Sequence, residues 1–153
     1  MDEKIFDFIE NPEHLACQCG CGLLVVNRGI MPMLEDFADC INAIFGDQYK
    51  LKLNIHSFNR CQVHNVKSRG YDKIIDGVHK VSFHVPVYKD AISGETIKRK
   101  INACDFHIQG LDISELHRIA IEYHGTILTG GLLLYSWGIH VDTAGFRFRD
   151  MRG

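Results

Sequence analysis

The chain has 153 residues, a length that suits one domain with its own core. Apolar residues make up 46% and charged residues 24%, the balance of an ordinary globular protein. A formal net charge of −2 gives no electrostatic reason to expect nucleic acid as a partner, and no run reaches the roughly 18 apolar residues of a membrane span. Met1-Asp2-Glu3-Lys4 is acidic and lacks the basic and apolar regions of a signal peptide. The expectation is a protein made in the cytosol, whose six cysteines default to reduced thiols.

Residues 30–45 carry apolar groups at Met33, Leu34, Phe37, Ala38, Ile41, Ile44 and Phe45, which predicts an amphipathic helix that Gly46 ends. Leu51 to Ser57 alternates apolar and polar residues and reads as a half-buried strand. A short helix is expected from Gln62 to Ser68. Val78 to Tyr88 is strand-like, Asp90 to Glu95 is a turn, and Thr96 to Ile108 resumes as strand, so this stretch reads as one β-hairpin. Ser114 is placed to cap a helix running to about Tyr123, with Gly125 just past its end. Two or three short strands close the chain, separated by Gly130-Gly131, Gly138 and Gly145. Helices first and antiparallel-type strands after them point to a single compact α+β domain over residues 1–153.

The chemistry concentrates near the C-terminus. In Leu134 to Thr143, His140 and Asp142 stand two residues apart on a strand-like stretch and share a face. Upstream lie Ser82-Phe83-His84 and Ala103-Cys104-Asp105. Two histidines and an aspartate can give zinc three nitrogen and oxygen ligands and leave the fourth position open for water, as in a catalytic zinc site. For either histidine alone, a partly buried side chain with satisfied hydrogen bonds is the commoner outcome.

These residues fall in an order that resembles a known family. Ser57-Phe58-Asn59-Arg60-Cys61-Gln62-Val63-His64-Asn65 looks like the S-G-Y-R-C-x-x-H-N segment of zinc D,D-peptidases related to the D-Ala-D-Ala carboxypeptidases. Ser82-Phe83-His84 with Ala103-Cys104-Asp105 resembles their S-x-H-x-x-G-x-A-x-D motif. Gly130-Gly131 through Asp142, then Phe146-Arg147, resembles their G-G-x-G-x-Y…W-G-x-H-V-D…R ending. Cys17-Gln18-Cys19-Gly20-Cys21-Gly22 looks like phage members of the group. The resemblance implies the Hedgehog/D,D-peptidase fold, a catalytic zinc at His84, Asp105 and His140, and hydrolysis of peptidoglycan stem peptides as carboxypeptidase or endopeptidase. It implies that Arg60 faces substrate, where a guanidinium can bind a carboxylate or stabilise an oxyanion. A surface arginine at a strand end is the simpler alternative. For a phage-type enzyme without a signal peptide, release by lysis or carriage in a virion would bring it to the wall.

Two departures from the family pattern matter. A stretch of hairpin character separates His84 from Asp105, and the neighbouring strands of a hairpin would have to restore their proximity. The tip, Asp90 to Thr96, is either one wall of the cleft or a tolerated surface insertion. Where some relatives carry a glutamate or histidine just before the last zinc histidine, this chain has Trp137 and Gly138, and neither accepts a proton. The candidate bases are Asp142, His107 and Glu95. Asp142 has a second role open to it, as the partner that orients a ligating histidine.

Cys17, Cys19, Cys21 and Cys61 could form a structural four-thiolate zinc site, although C-x-C-x-C is tighter than the usual C-x-x-C and reduced cysteines are the commoner outcome. Cys104 should point into the core, opposite Asp105. Tyr135 and Trp137 either line a substrate groove or pack in the core. Three further functions compete with the peptidase: a catalytically silent zinc domain that binds peptide or glycan, a phage virion or assembly component that kept the fold, and an enzyme acting on some non-wall peptide.

Overall fold

The structure, a computed structural model, describes residues 6–46 and 50–152, so the Met1–Lys4 reading lies outside the described residues. These residues form a compact α+β arrangement with three α-helices and small, mostly antiparallel sheets. No helix among them is long and apolar enough to cross a membrane.

The first helix, α1 (Ile30–Phe45), follows its sequence pattern closely. Ile30, Met33, Leu34, Phe37, Ala38 and Ile41 recur at three- and four-residue steps and are all buried. Gly29 and Gly46 bracket it at φ 95° and 91°, a left-handed region where a side chain would strain the chain. After β1 (Leu53–Ser57) comes α2 (Gln62–Lys67), whose first turn is capped by Cys61, its sulfur accepting from the His64 amide. The last helix, α3 (Ile113–Tyr123), is capped by Asp112, which accepts from the Ser114 amide. Ser114 is therefore inside the helix and not its cap.

Between α2 and the sheet centre the chain departs from the single-hairpin reading. β2 (Asp72–Ile75) pairs with β3 (Val78–Val81), and β4 (Val87–Lys89) pairs with β5 (Thr96–Lys98). The first hairpin turns at Asp76-Gly77, with φ 52° and 74°, the conformation of a tight Asp-Gly turn. Val78 to Tyr88 is thus two strands in two hairpins, parted by a turn at Ser82–Val85.

The main sheet adds β6 (Ala103–Ile108), β7 (Gly131–Tyr135), β8 (Gly138–Asp142) and β9 (Arg147–Asp150) in the order β1-β6-β8-β7-β9. All neighbours are antiparallel except β7 and β9. Alternation along the strands gives the sheet two faces. Leu53, Ile55, Cys104, Phe106, Leu132, Leu134, Ile139 and Val141 join the helix residues in one core, and Phe106 meets Phe37 edge to face at 6.1 Å. That burial is the main force holding helices to sheet, and the aromatic pair adds about 1 kcal/mol. The other face carries Asp105, His107, His140, Asp142, Leu133 and Tyr135. Gly131 and Gly138 lie within strands rather than between them. At Gly131 a Cβ would sit 2.5 Å from Arg147 Nη1 and 2.6 Å from Asp142 Oδ2, so only glycine lets that ion pair lie against the strand.

Candidate metal centre

Strand register assembles the first part of the centre. Asp105 on β6 stands directly opposite His140 on β8, so their side chains rise side by side from the open face. His84 comes from a different place. It lies in the Ser82–Val85 turn and not on a hairpin strand, so strand pairing does not bring it to Asp105. Two bonds to the backbone of Phe58 and Arg60 do: the Arg60 amide donates to the His84 carbonyl at 2.9 Å, and the His84 side chain donates from Nδ1 to the Phe58 carbonyl at 2.8 Å. Arg99 locks the turn by donating to the carbonyls of Ser82, Val85 and Val81 at 2.6, 3.3 and 2.8 Å. Its guanidinium also lies over the Tyr88 ring at 4.8 Å. The sequence reading did not single out Arg99; a cation near carbonyl-rich turns leaves no local pattern.

One nitrogen of each histidine, together with a carboxylate oxygen of Asp105, forms a group whose members all lie within 4.8 Å of one another. His84 Nε2 is buried, has no hydrogen-bond partner, and sits 3.2 Å from Asp105 Oδ1. Because Nδ1 carries the proton given to Phe58, Nε2 presents a lone pair to the group. At His140, Nε2 donates to Asp142 Oδ2 at 2.7 Å while Nδ1 faces Asp105 Oδ1 at 2.7 Å. A ring nitrogen placed against a carboxylate oxygen requires a proton or a cation between them. Burial alone would lower the His140 imidazole, but the carboxylates of Asp105 and Asp142 outweigh it and raise its pKa to about 9. Burial likewise opposes ionisation of Asp105, yet the imidazoles of His84 and His140 hold it well below the usual carboxylate range. An unpartnered buried lone pair, a second nitrogen fixed from behind and an ionised carboxylate fit a divalent transition metal such as zinc.

Asp142 is wholly buried and fully engaged. Besides His140 it accepts from the amides of Gly131 and Ala144 at 3.1 and 3.0 Å, and it forms an ion pair with Arg147 at 2.5 Å. These contacts and the imidazole overcome the effect of burial and hold its pKa well below the ordinary value. It lies behind His140, away from the cleft.

The cleft itself measures about 660 Å³. The open sheet face supplies Leu133, Tyr135, Asp105 and His140, and the β2–β3 hairpin with the segments flanking it supplies Tyr71, His79, Lys80, Phe83 and His84. The Asp90–Thr96 tip is not among the lining residues, and Glu95 is exposed. Arg60 lines the cleft, donates from Nη2 to Ser82 Oγ at 3.2 Å, and keeps a buried Nε with no partner. The lining holds Arg60, Lys80, Arg99 and Arg147 against the single carboxylate Asp105. Burial raises the Tyr135 phenol above its ordinary pKa, so it stays a protonated donor at the cleft wall.

His107 does not line the cleft. Its Nδ1 meets His56 Nε2 at 2.5 Å, and the rings run on through Trp137, 4.5 Å from His56, to Tyr135, 5.2 Å from Trp137 and nearly parallel to it. His79, which the sequence reading passed over, lines the cleft but has both nitrogens occupied, one by Asp72 Oδ1 at 2.7 Å and one by the Ala91 amide at 3.0 Å. Cys104 is fully buried in the core, opposite Asp105, as alternation requires. Apart from this centre, the sulfurs of Cys17, Cys19, Cys21 and Cys61 also gather within 4.8 Å of one another. Comparison of the chain with family models, with curated proteins and with solved structures finds no match.

Proposed function

We propose that the chain is a zinc-dependent peptidase of the Hedgehog/D,D-peptidase type that hydrolyses amide bonds in peptidoglycan stem peptides. The observation that carries this reading is the centre of His84, Asp105 and His140, with donor atoms within 4.8 Å and His84 Nε2 left as a buried lone pair. Three protein ligands are the number that leaves a zinc open to substrate. A zinc ion bound there would supply Lewis acidity and lower the pKa of an attacking water. The chain's residues do the rest. Phe58 and Asp142 fix which nitrogen each histidine presents. Arg60, with an unpartnered buried Nε on the cleft wall, binds the substrate carboxylate or the developing oxyanion. Tyr135 adds a protonated donor beside it, and the excess of cations suits an acidic peptide. The order of the four sequence motifs selects the stem peptide among such substrates.

Proton transfer favours a second reading. Asp142 has its oxygens committed to His140, Arg147 and two amides, and His107 stands outside the cleft lining. No uncommitted carboxylate lines the cleft among the described residues. A zinc domain that binds a wall peptide without cutting it needs no base, and this observation fits it. The test is mass spectrometry of purified peptidoglycan incubated with zinc-loaded protein, with and without chelator. New peptide termini that vanish with chelator support the peptidase. Intact peptides with retention of the protein on the wall support the silent domain. A wall neither cut nor bound removes both.

A further inference from the structure

We propose that Cys17, Cys19, Cys21 and Cys61 bind a second metal, a structural zinc held by four thiolates, which fastens the N-terminal arm to the loop carrying Arg60. This site goes beyond the peptidase reading and does not rest on it.

The geometry is that of a metal cage. All four sulfurs lie within 4.8 Å of one another, with Cys17 Sγ 3.4 Å from Cys19 Sγ and Cys19 Sγ 3.8 Å from Cys61 Sγ. A tetrahedron with zinc–sulfur bonds of 2.3 Å has sulfur–sulfur edges of about 3.8 Å. The tight C-x-C-x-C spacing is made possible by the chain's course. The Gly20 amide closes a turn onto the Cys17 carbonyl at 3.3 Å, and Gly20 and Gly22 adopt φ 90° and 82°, so successive cysteines curl round one point instead of alternating. Two backbone amides already serve the sulfurs as donors. The Cys61 amide donates to Cys17 Sγ at 3.3 Å and the His64 amide to Cys61 Sγ at 3.4 Å. Amide donors of this kind favour sulfur as thiolate.

Zinc is the metal this set prefers, because four soft sulfurs in a tetrahedron suit it and leave no position for substrate. Binding releases the thiol protons to solvent, and the filled site carries net charge −2, from four thiolates and one divalent ion. The other two cysteines stand apart, Cys40 on α1 and Cys104 in the core. The consequence for the cleft is direct. Cys61 follows Arg60, whose amide holds the His84 carbonyl, so a metal at the thiolates braces both the arginine and a metal-centre histidine.

The experiment uses the full chain, reduced and free of air, stripped of metal and reloaded with cobalt(II). The expected result is uptake of two cobalt ions per chain, with intense sulfur-to-cobalt charge-transfer absorption in the near ultraviolet. His140→Ala should lose one cobalt and keep that absorption. Cys21→Ser, at an exposed position, should weaken the absorption and leave the His140-dependent ion in place. Wild-type protein needs no variant to decide the matter. Absence of sulfur-to-cobalt absorption from reduced, cobalt-loaded wild type overturns the proposal, as does formation of disulfides among these four cysteines in protein given zinc and reductant together. A wild type that shows the absorption but takes up one cobalt, the same number as His140→Ala, would instead count against the peptidase centre.

Discussion

Asp142→Asn separates the roles open to this carboxylate. In the structure Asp142 receives the His140 Nε2 proton at 2.7 Å, two backbone amides, and the Arg147 guanidinium at 2.5 Å. Asparagine is nearly isosteric, so no cavity forms. Its amide oxygen can still accept from His140, but its NH₂ then stands in place of Oδ1 and faces three donors, the Gly131 and Ala144 amides and Arg147 Nη1. The loss is therefore one charge-assisted pair, worth roughly 1.5–3 kcal/mol for a buried case, and two amide bonds worth about 1 kcal/mol each. The Arg147 side chain is 39% exposed and recovers water, so a net cost of about 3–4 kcal/mol to the metal-free fold is expected. A weaker acceptor behind His140 also makes its Nδ1 a poorer ligand, and loss of such a partner lowers zinc affinity about 10–100-fold, or about 1.4–2.7 kcal/mol. Urea unfolding in chelator measures the first quantity, and competition with a chromophoric chelator the second. If zinc affinity is unchanged and only the hydrolytic rate falls, Asp142 is a proton carrier and its placement as an orienting partner is refuted. If only stability falls, Asp142 is an anchor for Arg147 alone.

Other perturbations read different parts of the account. Without metal, His140 with its raised pKa contributes stability that is fully present below about pH 6.5 and is lost as pH rises through about 9. Asp105 and Asp142, both depressed, contribute stability present above about pH 4 and lost as the solution becomes strongly acidic. The urea midpoint in chelator should therefore hold between about pH 4 and 6.5 and decline on either side; a midpoint flat to pH 9 would show that the His140 contacts contribute nothing. Arg99→Ala removes three carbonyl contacts from the His84 turn and should cost about 2 kcal/mol and weaken zinc binding, with Arg99→Lys failing to restore it because an ammonium cannot span that fan of acceptors. Arg60→Ala should keep metal and fold while lowering turnover on stem peptides about 10²–10³-fold, and an unchanged rate would make it a surface residue only.

How much of this was legible in the sequence depends on the range of the interaction. α1 was readable to its ends because Met33, Leu34, Phe37, Ala38 and Ile41 write a helical stripe and Gly46 stops it. His140 and Asp142 were readable as neighbours because strand periodicity puts them on one face. β2 and its pairing with β3 were not anticipated, since Lys73, Ile74, Ile75 and Val78 are all exposed and β2 writes no alternation; the Asp76-Gly77 turn is its one local mark. His84 reaches Asp105 through bonds to the backbone of Phe58 and Arg60, a contact between distant segments that spacing does not encode. The meeting of Cys61 with Cys17, Cys19 and Cys21 is of the same long-range kind, and the C-x-C-x-C spacing alone argued against it. Of the candidate bases, alternation put His107 on the right face but could not show that the ring turns toward His56 instead of the cleft.

The central claim is that His84, Asp105 and His140 together hold a metal ion. Elemental analysis of wild type and of His140→Ala, purified side by side after zinc loading and shown to be folded, addresses it without recourse to activity. The account predicts that the variant carries one zinc fewer per chain than wild type. Equal zinc content in the two proteins would contradict it.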